Sequence, residues 1–300
     1  MKILVLGGEG MLGHKMFQVL SARYPQTRCT IFGTLSDPFY QAIPLFTAQN
    51  CIEKVDVMDF TSLQKALQSE KPDYLINCIG IVKQRNEAKK AISTIMINSL
   101  LPHLLAEWAS NRGGRLIHFS TDCVFSGKKG NYREEDASDA EDLYGKSKYL
   151  GEVAGPNAVT LRTSIIGREL AHFQSLLEWF LSQEGKMVKG FRRVIYSGVT
   201  TNYMAELVAK IINEYPRLSG LYQVTSPVIS KYDLLNRLCD AYHLDIEIVP
   251  DDTEIFDRSM NGERFLRATG YREPSWDELI SQLAEDKTPY DQWQKESQHV

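Results

Sequence analysis

Short apolar runs alternate with stretches of helical periodicity through the first half of the chain. Such runs are typical of strands that are buried on both faces. The alternation predicts an α/β protein with a parallel, doubly wound sheet and right-handed crossovers. The predicted strands cover residues 3–6, 29–33, 51–57, 74–79, 115–120 and 160–166, and a later strand at 220–225 returns to the same sheet.

Helical patterns connect these strands at residues 11–20, 61–69 and 91–110, and the last of them is interrupted near Pro102, because proline lacks a backbone N–H. From about residue 169 onward the pattern loosens into a smaller lobe. We predict its helices at 173–183, 205–215, 231–242 and 276–285. The expected division is a dinucleotide-binding domain at 1–168, to which 199–226 return, and a substrate-binding lobe at 169–198 and 227–300. The polar residues 287–300 are expected to fray.

The first predicted strand breaks into a turn that carries glycines at a spacing of three, Gly7, Gly10 and Gly13. A helical pattern starts within this turn, at Met11 and Leu12. A strand, a tight turn and a helix N-terminus in this order can hold a dinucleotide pyrophosphate, because glycine permits positive φ and leaves room for phosphate. The alternative is a simple turn without a ligand. The position directly after a buried strand favours the dinucleotide site.

The composition narrows the class of protein. With 43% hydrophobic and 24% charged residues, the chain resembles an ordinary globular domain, and its net charge of −4 without a basic block disfavours nucleic acid as a partner. It contains no apolar run of about 18 residues and no charged leader, so we expect no membrane span and a cytoplasmic location. The five scattered cysteines lack a CxxC pair, which predicts reduced thiols and no metal site.

Two short motifs carry candidate chemistry. Tyr144 and Lys148 are four residues apart, so a helix would place the phenol and the ammonium on one face, where a cation lowers the pKa of a tyrosine. Ser120, Thr121 and Asp122 end the fifth predicted strand, and ligands of open parallel sheets bind beyond the carboxyl ends of strands. Read alone, the first motif is better explained as a solvated helix face, and the second can be a helix or turn cap. Their order along the chain favours one shared site.

Taken together, four segments resemble a known family. They are the glycine turn at 7–13, Ser120-Thr121-Asp122-Cys123-Val124-Phe125-Ser126-Gly127, the pair Tyr144 and Lys148, and Leu161-Arg162-Thr163-Ser164. They are similar to the extended short-chain dehydrogenase/reductases, and within these to dTDP-4-dehydrorhamnose reductases and related nucleotide-sugar reductases. The resemblance covers most of residues 1–168 and, more loosely, the remainder.

The resemblance implies a Rossmann-type lobe, a nicotinamide cofactor and a catalytic set of Thr121, Tyr144 and Lys148, with Asp122 as an accessory group. In the implied reaction a sugar ketone receives hydride while Tyr144 protonates the developing alkoxide. Lys148 would lower the pKa of Tyr144 and hydrogen-bond the nicotinamide ribose, and Thr121 would polarise the carbonyl. The substrate would be a nucleotide-activated 4-keto-6-deoxy sugar for polysaccharide or glycoside synthesis. Relatives often pair through helices beside the sheet, which implies a homodimer.

The resemblance also assigns the cofactor groove. Beyond the glycine turn with Met11 and Leu12, it implies cofactor contacts at Asp56 and Val57 near the adenine and at Cys78, Ile79 and Gly80 near the ribose. An asparagine at the position of Asn98 also occurs in relatives, and a buried helix polar group is an equally good interpretation of it.

The preference between NADPH and NADH is argued from the end of the second predicted strand. An NAD enzyme usually has an acidic residue about 20 residues after the glycines, whereas this chain has Thr34 and Ser36 there. Their hydroxyls can donate to a 2′-phosphate, and His14 or Lys15 can supply positive charge, so NADPH (bound as NADP) is favoured. The alternative is that Asp37 reaches the ribose.

The substrate pocket departs from the family pattern. Rhamnose reductases carry a tryptophan where this chain has Ile165 and a tyrosine where it has Cys123. The resemblance implies substrate contacts at both positions, at Phe125 and at Lys83, but the identity of the sugar stays open. Arginines of the second lobe are candidates for the diphosphate: Arg192, Arg193, Arg258 and Arg264.

Two alternatives stay open. A nucleotide-sugar epimerase on the same scaffold would retain NAD through a cycle of oxidation and reduction. A catalytically silent NADP-binding regulatory subunit, like the β subunit of methionine adenosyltransferase, would bind a partner protein instead of turning over a sugar.

Overall fold

The computed structural model describes residues 1–82 and 90–298. Its centre is a sheet of seven parallel strands in the order β11-β6-β5-β4-β1-β2-β3. These strands are β1 (Ile3–Leu6), β2 (Thr27–Thr30), β3 (Cys51–Ile52), β4 (Tyr74–Asn77), β5 (Arg115–Thr121), β6 (Ala158–Thr163) and β11 (Gly220–Gln223). The strand order reverses between β1 and β4, which opens a crevice at the carboxyl ends of the strands, as in Rossmann-type sheets. The predicted fold class is confirmed.

Helices cover both faces of the sheet. The apolar side chains of β1 alternate between the two faces, so each face must be covered. Ile3 and Val5 belong to the larger apolar core, whereas Leu4 and Leu6 face the smaller core on the other side. The helices of the first half are α1 (Met11–Arg23), α2 (Pro38–Gln41), α3 (Phe60–Glu70), α4 (Ala91–Ile95), α5 (Leu101–Arg112) and α6 (Leu143–Leu150).

The remaining helices are α7 (Leu176–Leu181), α8 (Thr201–Glu214), α9 (Lys231–Tyr242), α10 (Glu263–Thr269), α11 (Trp276–Ala284) and α12 (Tyr290–Gln298). The second half also contains short strands: β7 (Ile165–Ile166), β8 (Met187–Phe191), β9 (Val194–Tyr196), β10 (Val199–Thr200), β12 (Ile229–Ser230), β13 (Glu247–Asp251) and β14 (Phe256–Asp257). They form three small sheets, β10-β7, β12-β9-β14 and β13-β8. The predicted strand at 160–166 includes β7, but the other six strands were missed; four of them have only two or three residues, too few for a detectable periodicity.

The long helical stretch before β5 is interrupted as expected, although the interruption lies slightly earlier than Pro102. A π-helical turn at Met96–Leu100 separates α4 from α5, and Pro102 follows in the first turn of α5. A proline in the first turn of a helix loses no intrahelical hydrogen bond. The missing N–H of Pro102 therefore costs little at this position.

Most of residues 287–298 form α12, and the expectation that the segment 287–300 frays is wrong for these described residues. Tyr290 and Trp293 are buried in the larger core, because α12 turns its few aromatic side chains inward. The Tyr290 hydroxyl lies 2.8 Å from Nε2 of His14, whose Nδ1 lies 2.9 Å from the carbonyl oxygen of Gly10. The segment is therefore tied to the first helix of the chain.

A buried ion pair lies beneath the carboxyl edge of the sheet. Arg162 of β6 donates from Nε and Nη2 to the two carboxylate oxygens of Glu152, at 2.8 and 2.6 Å, and the two side chains are only 1% and 7% exposed. Ser120 of β5 donates to the same carboxylate at 2.6 Å, and the Phe125 ring covers the guanidinium at 4.9 Å. The pair thus joins β5 and β6 to the residues that follow α6.

We expect the free energy of unfolding to fall as the pH drops from 6.5 to about 4. Burial lowers the pKa of His14 from 6.5 to about 4, so the folded chain holds His14 neutral in a range where the unfolded chain protonates it. The loss is about 1.4 kcal/mol per pH unit and roughly 3 kcal/mol in total. Urea denaturation across this range measures the change. His14→Gln should flatten the slope by about one proton, and equal slopes in the parent and the variant would contradict the assignment.

Glu152→Gln should destabilise the fold strongly. It keeps the shape of the side chain but leaves the Arg162 guanidinium buried without a counter-charge, which costs roughly 3–5 kcal/mol. Urea denaturation at neutral pH measures the change. Glu263→Gln removes a carboxylate from a surface ion pair with Arg267 and is the matched control, expected to stay close to the parent protein. A small effect of Glu152→Gln would show that the pair is not a structural requirement.

Candidate functional site

The glycine turn brings the start of α1 against the end of β1. Gly7 has a φ of +78°, and a Cβ on Gly13 would lie 1.9 Å from the carbonyl oxygen of Gly7, so both positions exclude larger residues. Gly10 precedes α1 without a side-chain cap, and the first turn of the helix contains no acidic residue. The first N–H groups of α1, from Met11 and Leu12 onward, therefore point towards the crevice with the positive end of the helix dipole. This arrangement fits a dinucleotide pyrophosphate.

The groove continues along the residues that follow β4. Cys78, Ile79 and Gly80 are half-buried there, and a Cβ on Gly80 would lie 3.9 Å from Nζ of Lys148. Asn98, in the π-helical turn, accepts a hydrogen bond from the N–H of Ile81 at 2.9 Å and donates to its carbonyl at 3.0 Å. Asn98 therefore acts on this groove by fixing the loop backbone. π-Helical turns often occur at functional sites.

Asp56 and Val57 follow β3, and Thr34 and Ser36 follow β2, at the end of the groove where the sequence predicts the adenosine. The Oδ1 atom of Asp56 accepts a hydrogen bond from the N–H of Met58 at 2.8 Å, which forms a local turn. Val57 packs against the smaller core.

Carboxylates surround the two hydroxyl side chains there. Glu53 accepts hydrogen bonds from Oγ1 of Thr34 at 2.7 Å and from the N–H of Leu35 at 2.6 Å. These bonds lower the pKa of Glu53, which therefore stays ionised. Asp37 accepts from the N–H of Thr34 at 3.0 Å. Negative charge is thus already present beside Thr34, one of the residues predicted to contact a 2′-phosphate.

His14 and Lys15 do not supply the positive charge expected for a 2′-phosphate. His14 is completely buried, and burial lowers its pKa to about 4, so it is neutral near pH 7. Lys15 is buried on α1 and pairs with Asp286 at 2.6 Å. Both side chains contact the C-terminal segment, because they lie on the side of α1 that is buried in the protein.

The side chains of the candidate catalytic set come from β5 and α6. Tyr144 and Lys148 are one helical turn apart on α6, and Thr121 is the last residue of β5. Nζ of Lys148 donates to the carbonyl oxygen of Phe119 at 2.6 Å, which ties α6 to the end of the strand. Gly145 permits the close contact, since a Cβ there would lie 2.2 Å from the carbonyl oxygen of Cys123.

Burial dominates the electrostatics of this set. The pKa of Tyr144 is raised, mainly by burial of the hydroxyl and next by Cys123, while the Thr121 hydroxyl partly offsets the rise. This differs from the expectation that Lys148 lowers the pKa of Tyr144, because the ammonium is directed to the Phe119 carbonyl instead. Burial lowers the pKa of Lys148 to about 8, and Glu152 counteracts this shift. At pH 7 the site holds a neutral phenol and a largely protonated amine.

Asp122 is buried beside Thr121. Its Oδ1 accepts a hydrogen bond from Oγ1 of Thr121 at 3.0 Å, and Oγ1 in turn accepts from the N–H of Cys123 at 3.1 Å. Burial raises the pKa of Asp122, and the Arg258 guanidinium partly reverses this. The geometry supports both interpretations of Ser120-Thr121-Asp122, because the Thr121 hydroxyl caps a 3₁₀ turn and also borders Tyr144.

The predicted substrate residues occupy different environments. Cys123 is half-buried and contributes to the electrostatics of the Tyr144 hydroxyl, and Ile165 is half-buried in β7. Phe125 is 1% exposed and stacks on Tyr132 with 4.1 Å between ring centroids, so it is part of the core and its contact with a sugar stays a prediction. Lys83 lies outside the described residues.

Three residues near the site were missed by the sequence analysis: Glu53, Glu152 and Tyr196. Each of these residues lies outside the motif that it approaches in the fold. The spacing of residues within a motif therefore could not predict its role. Of the candidate arginines, Arg192 pairs with Asp252 and Arg264 with Glu135 on the surface, whereas Arg258 donates to the carbonyl oxygen of Phe125 at 3.0 Å, next to the site.

Over residues 1–82 and 90–298, the structure contains no helix that is both long and apolar enough to cross a bilayer. Within the same part of the chain, no three histidine, cysteine or acidic side chains are grouped as metal ligands.

Known proteins match the chain over most of its length. Residues 1–285 match the family model described as the RmlD substrate binding domain. The spore coat polysaccharide biosynthesis protein SpsK of Bacillus subtilis (strain 168) is 24% identical over 302 residues, which cover 96% of this chain and 98% of that protein. A dTDP-4-dehydrorhamnose reductase of Aggregatibacter actinomycetemcomitans is 24% identical and covers 80% of this chain and 78% of its own length.

A solved structure shares the fold. The dTDP-4-dehydrorhamnose reductase of Bacillus anthracis str. Ames, in complex with NADP, superposes with a TM-score of 0.76 at 20% identity and covers 96% of this chain and 99% of that chain. The chain therefore belongs to the RmlD substrate binding domain family, as an extended short-chain dehydrogenase/reductase related to dTDP-4-dehydrorhamnose reductases.

Proposed function

We propose that the chain reduces the keto group of a nucleotide-activated 4-keto-6-deoxy sugar with NADPH or NADH, for polysaccharide or glycoside synthesis. One observation carries the proposal: a neutral Tyr144 hydroxyl, the Thr121 hydroxyl and the Lys148 ammonium meet at the carboxyl end of β5, beside the groove that starts at the glycine turn. A hydride donor, when bound in that groove, supplies the two electrons of the reduction.

Tyr144 acts as the general acid in this proposal. Its raised pKa keeps the phenol protonated at neutral pH, so the hydroxyl can give its proton to the oxygen of the sugar ketone as negative charge develops there. The carbonyl carbon gains a hydride and the oxygen gains a proton, so the product is the alcohol. The same burial that raises the pKa excludes water that would compete for this proton.

Lys148 and Thr121 prepare the site for that proton transfer. With its pKa near 8, Lys148 is largely protonated at pH 7, and its bond to the Phe119 carbonyl holds α6 against the end of β5, which fixes the position of Tyr144. Thr121 is restrained by Asp122 and by the N–H of Cys123, so its hydroxyl is oriented before the substrate binds. Asp122 is an accessory group that positions Thr121.

The choice of a nucleotide sugar follows from the relatives. The chain belongs to the family of dTDP-4-dehydrorhamnose reductases, and SpsK is named for spore coat polysaccharide biosynthesis. Arg258, the candidate arginine that borders the buried Asp122, lies at the substrate side of the site.

Sequence reasoning favours NADPH, and the NADP complex of the Bacillus anthracis reductase supports the same cofactor. The contacts of Glu53 oppose that preference. Its ionised carboxylate holds Thr34, one of the two hydroxyls proposed for the 2′-phosphate. We infer that Glu53 reduces the discrimination between the two cofactors.

Tyr144→Phe should abolish turnover. The variant loses the proton donor and keeps the ring, so kcat should fall about 10²- to 10⁴-fold. The loss of NADPH absorbance is followed against dTDP-, UDP- and GDP-linked 4-keto-6-deoxy sugars. Tyr149→Phe, an exposed tyrosine on the same helix, is the matched control and should keep the parent rate.

Each other outcome of that assay points away from the reductase. Tightly bound NAD that stays with the purified protein, together with interconversion of sugar epimers, would favour an epimerase. Cofactor binding without turnover of any sugar, together with a second protein that co-purifies, would favour a regulatory subunit.

Glu53→Gln should raise the ratio of kcat/KM for NADPH to that for NADH. Glutamine still accepts the hydrogen bonds of Thr34 and Leu35, but the charge that repels a 2′-phosphate is gone, so we expect a roughly 5- to 10-fold rise at low ionic strength. Glu214→Gln, at the far end of α8, is the control. An unchanged ratio in Glu53→Gln would place the 2′-phosphate elsewhere.

A further inference from the structure

The Tyr196 hydroxyl is buried and makes no hydrogen bond with any described residue. Tyr196 is the last residue of β9, in the second lobe. A buried hydroxyl without a partner is unfavourable, and such groups in native structures call for an explanation. One explanation is a ligand that enters the site and supplies the missing hydrogen-bond partner.

The backbone after Tyr196 is attached to the carboxyl edge of the central sheet. The N–H of Val199 donates to the carbonyl oxygen of Ser164 at 2.9 Å, and a Cβ on Gly198 would lie 2.6 Å from that oxygen. Ser164 directly follows β6, the neighbour of the strand that ends in Thr121. The end of β9 is therefore placed at the mouth of the candidate site.

Two charged residues lie near Tyr196. Burial raises the pKa of Tyr196, and the Asp122 carboxylate adds to the rise, so the two groups are close. The N–H of Arg258 donates to the carbonyl oxygen of Ile195 at 2.9 Å, which places Arg258 beside Tyr196. Because Arg258 also lowers the pKa of Asp122, the three residues form one polar cluster next to Thr121.

The Tyr196 ring is held rigidly. It contacts Trp276 edge to face with 6.3 Å between centroids, and Nε1 of Trp276 donates to the carbonyl oxygen of Pro227 at 2.7 Å. A ring that is fixed before the ligand binds loses little entropy on binding. The Tyr196 hydroxyl is a neutral hydrogen-bond donor, so it can pair with a sugar hydroxyl or ring oxygen.

From this placement we infer that Tyr196 binds the sugar of the substrate: its hydroxyl hydrogen-bonds a ring substituent of a nucleotide-linked sugar, beside Asp122. The inference rests on the proposed function, because it assumes that a nucleotide sugar enters this site. The nucleotide part would be held by other residues, so Tyr196 should affect recognition of the sugar and leave recognition of the nucleotide unchanged.

Isothermal titration with NADP⁺ present tests the inference on the full chain. Three matched pairs of probes are titrated, dTDP against dTDP-rhamnose, UDP against UDP-glucose, and GDP against GDP-mannose. The ratio of the two Kd values in a pair reports the contribution of the sugar. In Tyr196→Phe we expect this ratio to shrink about 3- to 10-fold, the effect of one hydrogen bond, while the Kd of the bare nucleotide stays the same.

Tyr271→Phe is the matched control, because the Tyr271 hydroxyl is also buried and has no hydrogen-bond partner among the described residues, but its ring lies against Tyr203 and Phe265. In Tyr271→Phe, the ratio of the two Kd values in each pair of probes should equal that of the parent protein. The Tm of Tyr196→Phe should equal or exceed that of the parent, since a merely structural hydroxyl would lower it on removal.

The outcomes separate the two proposals. A sugar contribution that is present in the parent and unchanged in Tyr196→Phe would overturn the role of Tyr196 and leave the proposed function standing. A parent protein that binds no nucleotide sugar more tightly than the bare nucleotide would overturn both. An equal loss of affinity for nucleotide and nucleotide sugar in Tyr196→Phe would also overturn the inference, because it would indicate a general disturbance of the site.

Discussion

The buried ion pair between Arg162 and Glu152 joins every element that carries the proposed catalytic set. Arg162 belongs to β6, Glu152 follows α6, and Ser120 attaches the end of β5 to the same carboxylate. Tyr144 and Lys148 are on α6, and Thr121 is next to Ser120, so this contact, together with the bond from Lys148 to the Phe119 carbonyl, helps to set their distances. A buried pair of this kind adds little stability compared with an apolar core, but it allows few alternative arrangements of the elements that it connects.

Burial determines the charges in the site more than neighbouring charges do. It keeps Tyr144 protonated, brings the pKa of Lys148 to about 8 and raises the pKa of Asp122. The reacting groups therefore lie in a region from which water is largely excluded, where a developing alkoxide is sensitive to the few donors that face it. Burial is also costly for the Tyr196 hydroxyl, which has no hydrogen-bond partner among the described residues. That cost is the reason for expecting a ligand to bind this hydroxyl at the mouth of the site.

Some features of the site were predictable because they depend on residues that are close in sequence. The pair Tyr144 and Lys148 shares a helix face by periodicity alone, and the turn from Gly7 to Gly13 needs glycine for local steric reasons. The expected roles of His14 and Lys15 were wrong because both side chains are partnered by residues near the C-terminus. The effect of Lys148 on Tyr144 was also misjudged, since the Phe119 carbonyl competes for the ammonium.

The sequence by itself determined the alternation of strands and helices, the central parallel sheet, the glycine turn and the order of the motifs along the chain. These features arise from the local periodicity of apolar residues and from the steric demands of single residues. Only the tertiary structure decided which charges are neutralised, which carboxylates face the cofactor groove and which side chains of the second lobe reach the site. Tyr196 ends and Arg258 follows strands of three and two residues, which are too short to leave a periodic signal. The contacts of these two residues and of Glu53 depend on long-range packing.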